Sequence, residues 1–160
     1  MARKTGILGG ILALLIAFIA NIPIYPPANI EINFLIFTNN NTAYYIWGYL
    51  SNNLLSFSPL IAQFPENLIG IFIWGLMVFL GLSSIMASVK KANFENSMKL
   101  YWLNILCSIF VSVVYTIIII LTIWENLILF FYTAGIGYYL LIIILGLNII
   151  ALHYLKKSEI

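Results

Sequence analysis

Four stretches of the chain, residues 6–22, 67–88, 100–123 and 127–152, are long, apolar and free of any charged side chain. Backbone that enters hydrocarbon has no water to bond, so such a run closes its hydrogen bonds within itself, and roughly 20 apolar residues in a helix cross a core of about 30 Å. Each run is long enough to span, or nearly so. The composition agrees: 63% of the 160 residues are hydrophobic and 8% charged, against about 25% charged in an ordinary soluble domain. A water-soluble globule is excluded. The chain reads as an all-α membrane protein, a single four-transmembrane-helix domain over residues 1–160. The first run follows Arg3 and Lys4 as a secretory signal would, but Phe18, Ile19 and Ala20 make a poor small-residue cleavage site, so it is read as a retained helix.

Orientation follows from the cations. Arg3 and Lys4 precede the first run, Lys90, Lys91 and Lys99 lie between the second and third, and Lys156 and Lys157 follow the fourth. Cytoplasmic flanks retain Lys and Arg during insertion. Both termini and the 89–99 connection are therefore expected in the cytoplasm of a cell-membrane protein, with Glu31, Glu66 and Glu125 on the other side.

The two outer connections are unequal. Trp124, Glu125 and Asn126 make a tight helical hairpin, whereas residues 23–66 are too many for idle coil. Within them Ile30, Ile32, Phe34 and Ile36 alternate with Glu31, Asn33 and Leu35, the period of a half-buried strand. Asn39, Asn40 and Asn41 supply a turn, since Asn tolerates left-handed backbone angles. Tyr44, Tyr45, Ile46, Trp47, Gly48, Tyr49 and Leu50 then read as a second strand, giving a small extracellular β-hairpin or sheet. Leu54 to Phe64, broken by Pro59, reads as a short interfacial helix or docked loop, and Pro65 with Glu66 suits the first turn of the next helix. An isolated hairpin is marginal in water, so this one needs further strands, the helix ends or another molecule. Its side chains Phe34, Phe37, Tyr44, Tyr45, Trp47, Tyr49, Phe57 and Phe64 come without a Lys or Arg. Two readings stand: these aromatics pack the loop onto the helix ends as an interface belt, or they form an exposed surface for a partner.

Inside the spans, small residues mark where helices approach: Gly6, Gly10, Ala13, Ala17 and Ala20 on the first, Gly81, Ser84 and Ser88 on the second, Thr133, Gly137 and Gly146 on the fourth. Packing within the chain is preferred to a dimer. The third helix carries a polar stripe, Asn104, Ser108, Ser112 and Thr116, one turn apart on one face. That face should point inward, with Asn104 within reach of Asn148. Interhelical hydrogen bonding is the favoured reading and a solute path the other, because no ionisable residue lies within a span and transport sites usually carry one.

Chemistry is limited by what is missing. Cys107 is the single cysteine and His153 the single histidine, which removes an internal disulfide, a redox pair, a bis-histidine haem within one chain and a His/Cys zinc site. Asp is absent, so no Ser-His-Asp set exists, and no Gly-rich phosphate loop occurs. Glu31, Glu66 and Glu125 are too scattered to argue for a cation. Asn40, Asn41 and Thr42 form a glycosylation sequon of low specificity. No enzymatic activity, cofactor, metal or nucleic-acid partner is expected.

The segment from Asn33 to Leu50, a strand, a turn and then Trp47-Gly48-Tyr49-Leu50, resembles the region where claudins carry a Gly-Leu-Trp motif. Gly135-Ile136-Gly137-Tyr138, opening the fourth run, is similar to the glycine and aromatic pattern found there. The layout as a whole resembles the claudin and peripheral-myelin-protein superfamily of tetraspan proteins. The paired loop cysteines and an early loop tryptophan are absent, and the second outer loop is shorter. The resemblance implies a left-handed four-helix bundle capped by a small sheet, with Trp47, Gly48 and Leu50 as structural elements of the loop, and action by association; a paracellular pore is not carried over. The sequence thus favours a non-enzymatic membrane protein that self-associates or binds a membrane partner through Phe34, Phe37, Tyr44, Tyr45, Trp47, Gly48, Tyr49 and Leu50, amid membrane lipids. An accessory subunit of a larger membrane complex and a small transporter or channel protomer are the alternatives.

Overall fold

The computed structural model describes residues 2–24, 30–39, 41–51, 54–56, 67–89, 93–124 and 126–157. The chain is mostly helical, with helices α1 (Ala2–Phe18), α2 (Asn67–Ser88), α3 (Phe94–Thr122), a short α4 (Phe130–Thr133) and α5 (Ile136–Lys157). Between α1 and α2 run strands β1 (Asn21–Ile24), β2 (Ile30–Asn33), β3 (Phe37–Asn39), β4 (Thr42–Tyr44), β5 (Tyr49–Ser51) and β6 (Leu54–Ser56). Three helical stretches, Leu68–Ser88, Phe94–Thr122 and Ile136–Lys157, are long and apolar enough to cross a membrane, and the apolar stretch Lys4–Phe18 is shorter.

The four long helices pack side by side, α1 on α2 and α5, and α3 on α2 and α5. Neighbours run antiparallel. Trp74, early in α2, donates its indole N–H to the carbonyl of Ala17 at the end of α1 at 3.0 Å, while Ser88, at the end of α2, meets Tyr101 near the start of α3 at 2.7 Å. The glycines explain how closely α1 and α2 approach. A β-carbon on Gly10 would stand 2.7 Å from the carbonyl oxygen of Gly81, and one on Gly81 would stand 2.6 Å from Leu14 Cγ. The small-residue rows of α1 and α2 are therefore used within the chain, whereas Gly75 and Gly146 face open space.

Helix bounds match the sequence expectation at α2 and differ elsewhere for local reasons. Run 6–22 does not stay helical to its end: α1 stops at Phe18, and Asn21–Ile24 pairs antiparallel with Ile30–Asn33 instead. Pro23 has no N–H to give a ladder, which confines it to an edge strand, and β1 is one. The helix expected over 100–123 begins earlier, at Phe94. The helix expected over 127–152 is broken: a 3-10 turn at Leu127–Leu129 leads into α4, Ala134 is extended, and α5 begins at Ile136.

The β-hairpin or sheet expected in residues 23–66 is two small antiparallel sheets. β1 and β2 form one, and β3-β4-β5-β6 form an antiparallel meander. The expected asparagine turn lies between β3 and β4, where Asn39 opposes Thr42. The expected second strand is split, because Tyr45 and Gly48 close a bend with a backbone hydrogen bond of 2.7 Å before β5 begins. The expected interfacial helix at Leu54–Phe64 begins as strand β6; residues 57–64, with Phe57 and Pro59, lie outside the described residues, as do Asn40, Pro65, Glu66, Lys90, Lys91 and Glu125.

One core unites helices and strands. Phe34, Ile36, Phe37, Tyr44 and Ile46 are buried together with Ile16, Ile73, Met77, Tyr115, Ile119 and Tyr138. The strand region docks through its backbone. Gly135 donates to the Ile36 carbonyl at 2.8 Å and Gly137 to the Leu35 carbonyl at 2.9 Å, while Phe34 donates to the Ala20 carbonyl at 2.7 Å. Only glycine permits this contact at 137, since a β-carbon would lie 2.3 Å from the Phe34 oxygen.

A buried polar layer between the helices

Sequence reasoning pointed to two places, the polar face of α3 and the aromatic loop. On α3 the structure buries Asn104 and Ser108 and half-buries Ser112 and Thr116, with Asn148 of α5 fully enclosed. Asn104 and Asn148 do not bond each other directly. Ser84 of α2 stands between them, accepting from Asn104 Nδ2 at 2.9 Å and donating to Asn148 Oδ1 at 2.6 Å. Ser83 donates to Asn104 Oδ1 at 2.5 Å, and Asn148 Nδ2 closes the chain on the Ile144 carbonyl at 2.9 Å.

A second relay runs alongside. Ser88 Oγ lies 2.6 Å from the Ser84 carbonyl, which only accepts, so its proton goes there and the Tyr101 hydroxyl must donate to Ser88. α1 contributes space to this layer. A β-carbon on Gly6 would fall 2.1 Å from the Tyr101 oxygen and 2.3 Å from Ser88 Oγ. Ser84 and Ser88 carry the small-residue signal already visible in α2, but Ser83 and Tyr101 carried no signal that would have placed them here. The layer separates the main core from a small apolar cluster of Ala87, Tyr101, Ile105, Ala151 and Leu152 near the lysine-bearing helix ends.

The arrangement joins three helices through side-chain hydrogen bonds. Amides and hydroxyls are spent on one another, each bond contributing about 1 kcal/mol or less in lipid. Further along α3, Thr116 donates to the Ser112 carbonyl at 2.7 Å and accepts from Tyr138 at 2.8 Å. Between these bonded levels the hydroxyl oxygens of Ser108 and Ser112 are buried without a hydrogen-bond partner. Among the described residues no three His, Cys, Asp or Glu side chains gather as a metal site. His153 is exposed and rests edge-on against Tyr154, and Lys156 lies over the Trp102 ring at 5.5 Å.

The loop aromatics divide sharply. Phe34, Phe37, Tyr44 and Tyr45, read from the sequence as part of an interaction surface, are turned inward and at most 9% exposed. Phe37 stacks on Tyr44 with ring centres 4.3 Å apart, and its other neighbour is Tyr115 of α3. Phe34, Phe37 and Tyr44 pack the loop onto the helix ends, and Tyr45 is stacked on Trp47 with ring centres 5.0 Å apart. Burial and the neighbouring Tyr49 phenol push the Tyr44 hydroxyl above its ordinary range. Gly48 is buried, Trp47 and Tyr49 are half-buried, and Leu50 is exposed, so the rim left to meet another molecule is Trp47, Tyr49 and Leu50.

Compared with known protein families, with characterised proteins and with solved structures, the chain finds no match.

Proposed function

We propose that this chain is a non-enzymatic multi-pass membrane protein that acts by association, with itself or with a membrane partner. Four crossings are proposed, α1 completing its own with the apolar residues that follow Phe18. Both termini and the connection between α2 and α3 face the cytoplasm, where all the Lys and Arg residues would then lie. The observation that carries this reading is how the buried polar side chains are used. Ser83, Ser84, Ser88, Asn104 and Asn148 bond across three helices, none of them is ionisable, and the helix faces turned outward are apolar, from Ile69 and Phe72 to Leu106, Leu121, Ile143 and Ile150. A chain that spends its interior polarity on its own cohesion is built to present a surface.

The claudin-like layout supports the same reading, with Trp47, Tyr49 and Leu50 as the rim that would meet a partner. The test is purification in mild detergent from native membranes after crosslinking through a photoreactive residue at Leu50. Like-with-like adducts, or a stoichiometric larger membrane protein, support association; a monomer recovered alone and uncrosslinked overturns it. The adduct's mass separates self-association from an accessory subunit.

A further inference from the structure

The helices end at different heights. Ser84 meets Asn104 and Ser88 meets Tyr101, and this register sets Leu68 of α2 level with about Ile120 of α3 at about 1.5 Å of rise per residue. Leu100 to Ile120 on α3 then spans about 30 Å, the thickness of a hydrocarbon core. α1 and α5 stop short of that level. α1 ends where Trp74 reaches Ala17, about two turns inside α2, and α5 begins where Tyr138 reaches Thr116, about a turn inside Ile120. The space above them is filled by residues 34–37, bonded to Ala20, Gly135 and Gly137.

The connection from α3 to α5 borders the same level. Phe130 packs edge-on against Tyr138, which holds α4 beside the start of α5. Ile128, Phe131 and Tyr132 point away from the protein, 79%, 76% and 83% exposed, and Trp124 is 74% exposed. No Lys or Arg occurs anywhere from residue 5 to residue 89 or from 100 to 155. Leu121, Trp124, Asn126 and Leu129 border an open groove of about 400 Å³ at this turn. The apolar band of the long helices thus continues onto the connection, whose one charged residue is Glu125, with none from Asn126 to Leu155.

We propose that the outer leaflet of the bilayer covers this end of the molecule: residues 34–37 lie at hydrocarbon depth, and Ile128, Phe131 and Tyr132 are seated among lipid chains. Extended backbone is tolerated at that depth only where protein satisfies it, and the carbonyls of Leu35 and Ile36 are satisfied by Gly137 of α5 and by Gly135 just before it. The exposed Glu31 lies opposite Pro23 in the β1–β2 pair, and its carboxylate accepts from Asn21 Nδ2 at 3.0 Å, so that charge is partnered by an amide within the cap. This rests on the membrane reading above and deepens it, because a cap sunk in the leaflet meets partners laterally within the membrane.

The experiment places single nitroxide labels in a Cys107→Ser background, at Ile128→Cys, Phe131→Cys, Leu106→Cys and Asn41→Cys, in phosphatidylcholine bilayers. Collision with oxygen is compared with collision with a polar nickel chelate. Leu106 is an outward site about 9 Å inside the span and Asn41 an exposed turn. The oxygen-to-nickel ratio at 128 and 131 should match that at 106 and exceed that at 41 by roughly tenfold, since hydrocarbon excludes the chelate. Ratios at 128 and 131 that match 41, with 106 still oxygen-rich, overturn the proposal and leave the membrane reading intact. A nickel-accessible 106 overturns both.

Discussion

Gly6 and Tyr101 share one space: a β-carbon on Gly6 would stand 2.1 Å from the Tyr101 hydroxyl. α1 therefore limits how the polar layer is built, through the space that Gly6 leaves open. Gly6→Ala should displace the Tyr101 and Ser88 hydroxyls and cost about 1–3 kcal/mol, as overpacking does. Tyr101→Phe in the same chain should restore part of the loss by removing the clashing oxygen. Gly146→Ala, at a site with nothing within 4 Å, should be neutral or gain up to about 1 kcal/mol. Thermal unfolding in detergent micelles orders the three; equal melting temperatures for Gly6→Ala and Gly146→Ala would refute the close contact.

Ser84 is the hinge of the hydrogen-bonded chain, because its one oxygen serves both Asn104 and Asn148. Ser84→Ala should cost about 1–3 kcal/mol by leaving two buried amides short of partners, more than Ser83→Ala, which removes a single donor. Combined with Asn148→Leu, the effects should be clearly less than additive. Additive losses in a double-mutant cycle would mean that the two residues do not act on each other.

Ser108 offers the opposite sign. Its hydroxyl is buried and unpartnered, so Ser108→Ala should leave stability unchanged or raise it by a few tenths of a kcal/mol. A loss above about 1 kcal/mol would reveal a partner held by that oxygen. This also bears on the solute-path alternative. If liposomes carrying the protein pass a solute and Asn104→Leu or Ser112→Val stops it, α3 lines a path; permeability equal to that of empty liposomes removes that function.

Docking of the strands depends on Gly137. Gly137→Ala places a β-carbon against the Phe34 carbonyl, a backbone atom that has no rotamer to escape into. The strand region should become at least about tenfold more sensitive to added protease, a local opening worth about 1.4 kcal/mol, while α2 and α3 stay protected in hydrogen exchange. Unchanged cleavage would show that the cap is held by something other than α5.

Much of this organisation is legible in the sequence, and the limits are physical. The uncharged run 67–88 gives α2 its ends, since tertiary contacts add no break within it. The same kind of signal overextends α1, because Ile19 to Ile24 is apolar enough for helix or strand, and pairing with Ile30–Asn33 decides. The break at Ala134 and Gly135 has a similar origin: α5 could begin earlier by propensity, but the Ile36 carbonyl claims the Gly135 N–H. Alternation over residues 30–36 identifies strand only as far as Asn33, because residues 34–36 leave the ladder to bond Ala20, Gly135 and Gly137, and it does not say which face turns inward. The inward turn of Phe34, Phe37 and Tyr44 follows from the short α1, which spacing alone does not reveal. Asn104 and Asn148 are both recognisable as interior residues and Ser84 as a small packing residue, whereas the link that Ser84 makes between the two amides is visible only in three dimensions.

The dock formed by Gly135 and Gly137 also sets an order of events. Ile36 leaves the ribosome long before the glycine that receives its carbonyl, so the strand region can meet Ala20 and α3 early but gains its backbone bonds to Gly135 and Gly137 only when the last helix has been made. Maturation at this end then closes backwards along the polypeptide, and a chain arrested before residue 134 would leave the Leu35 and Ile36 carbonyls without the glycine N–H groups that receive them.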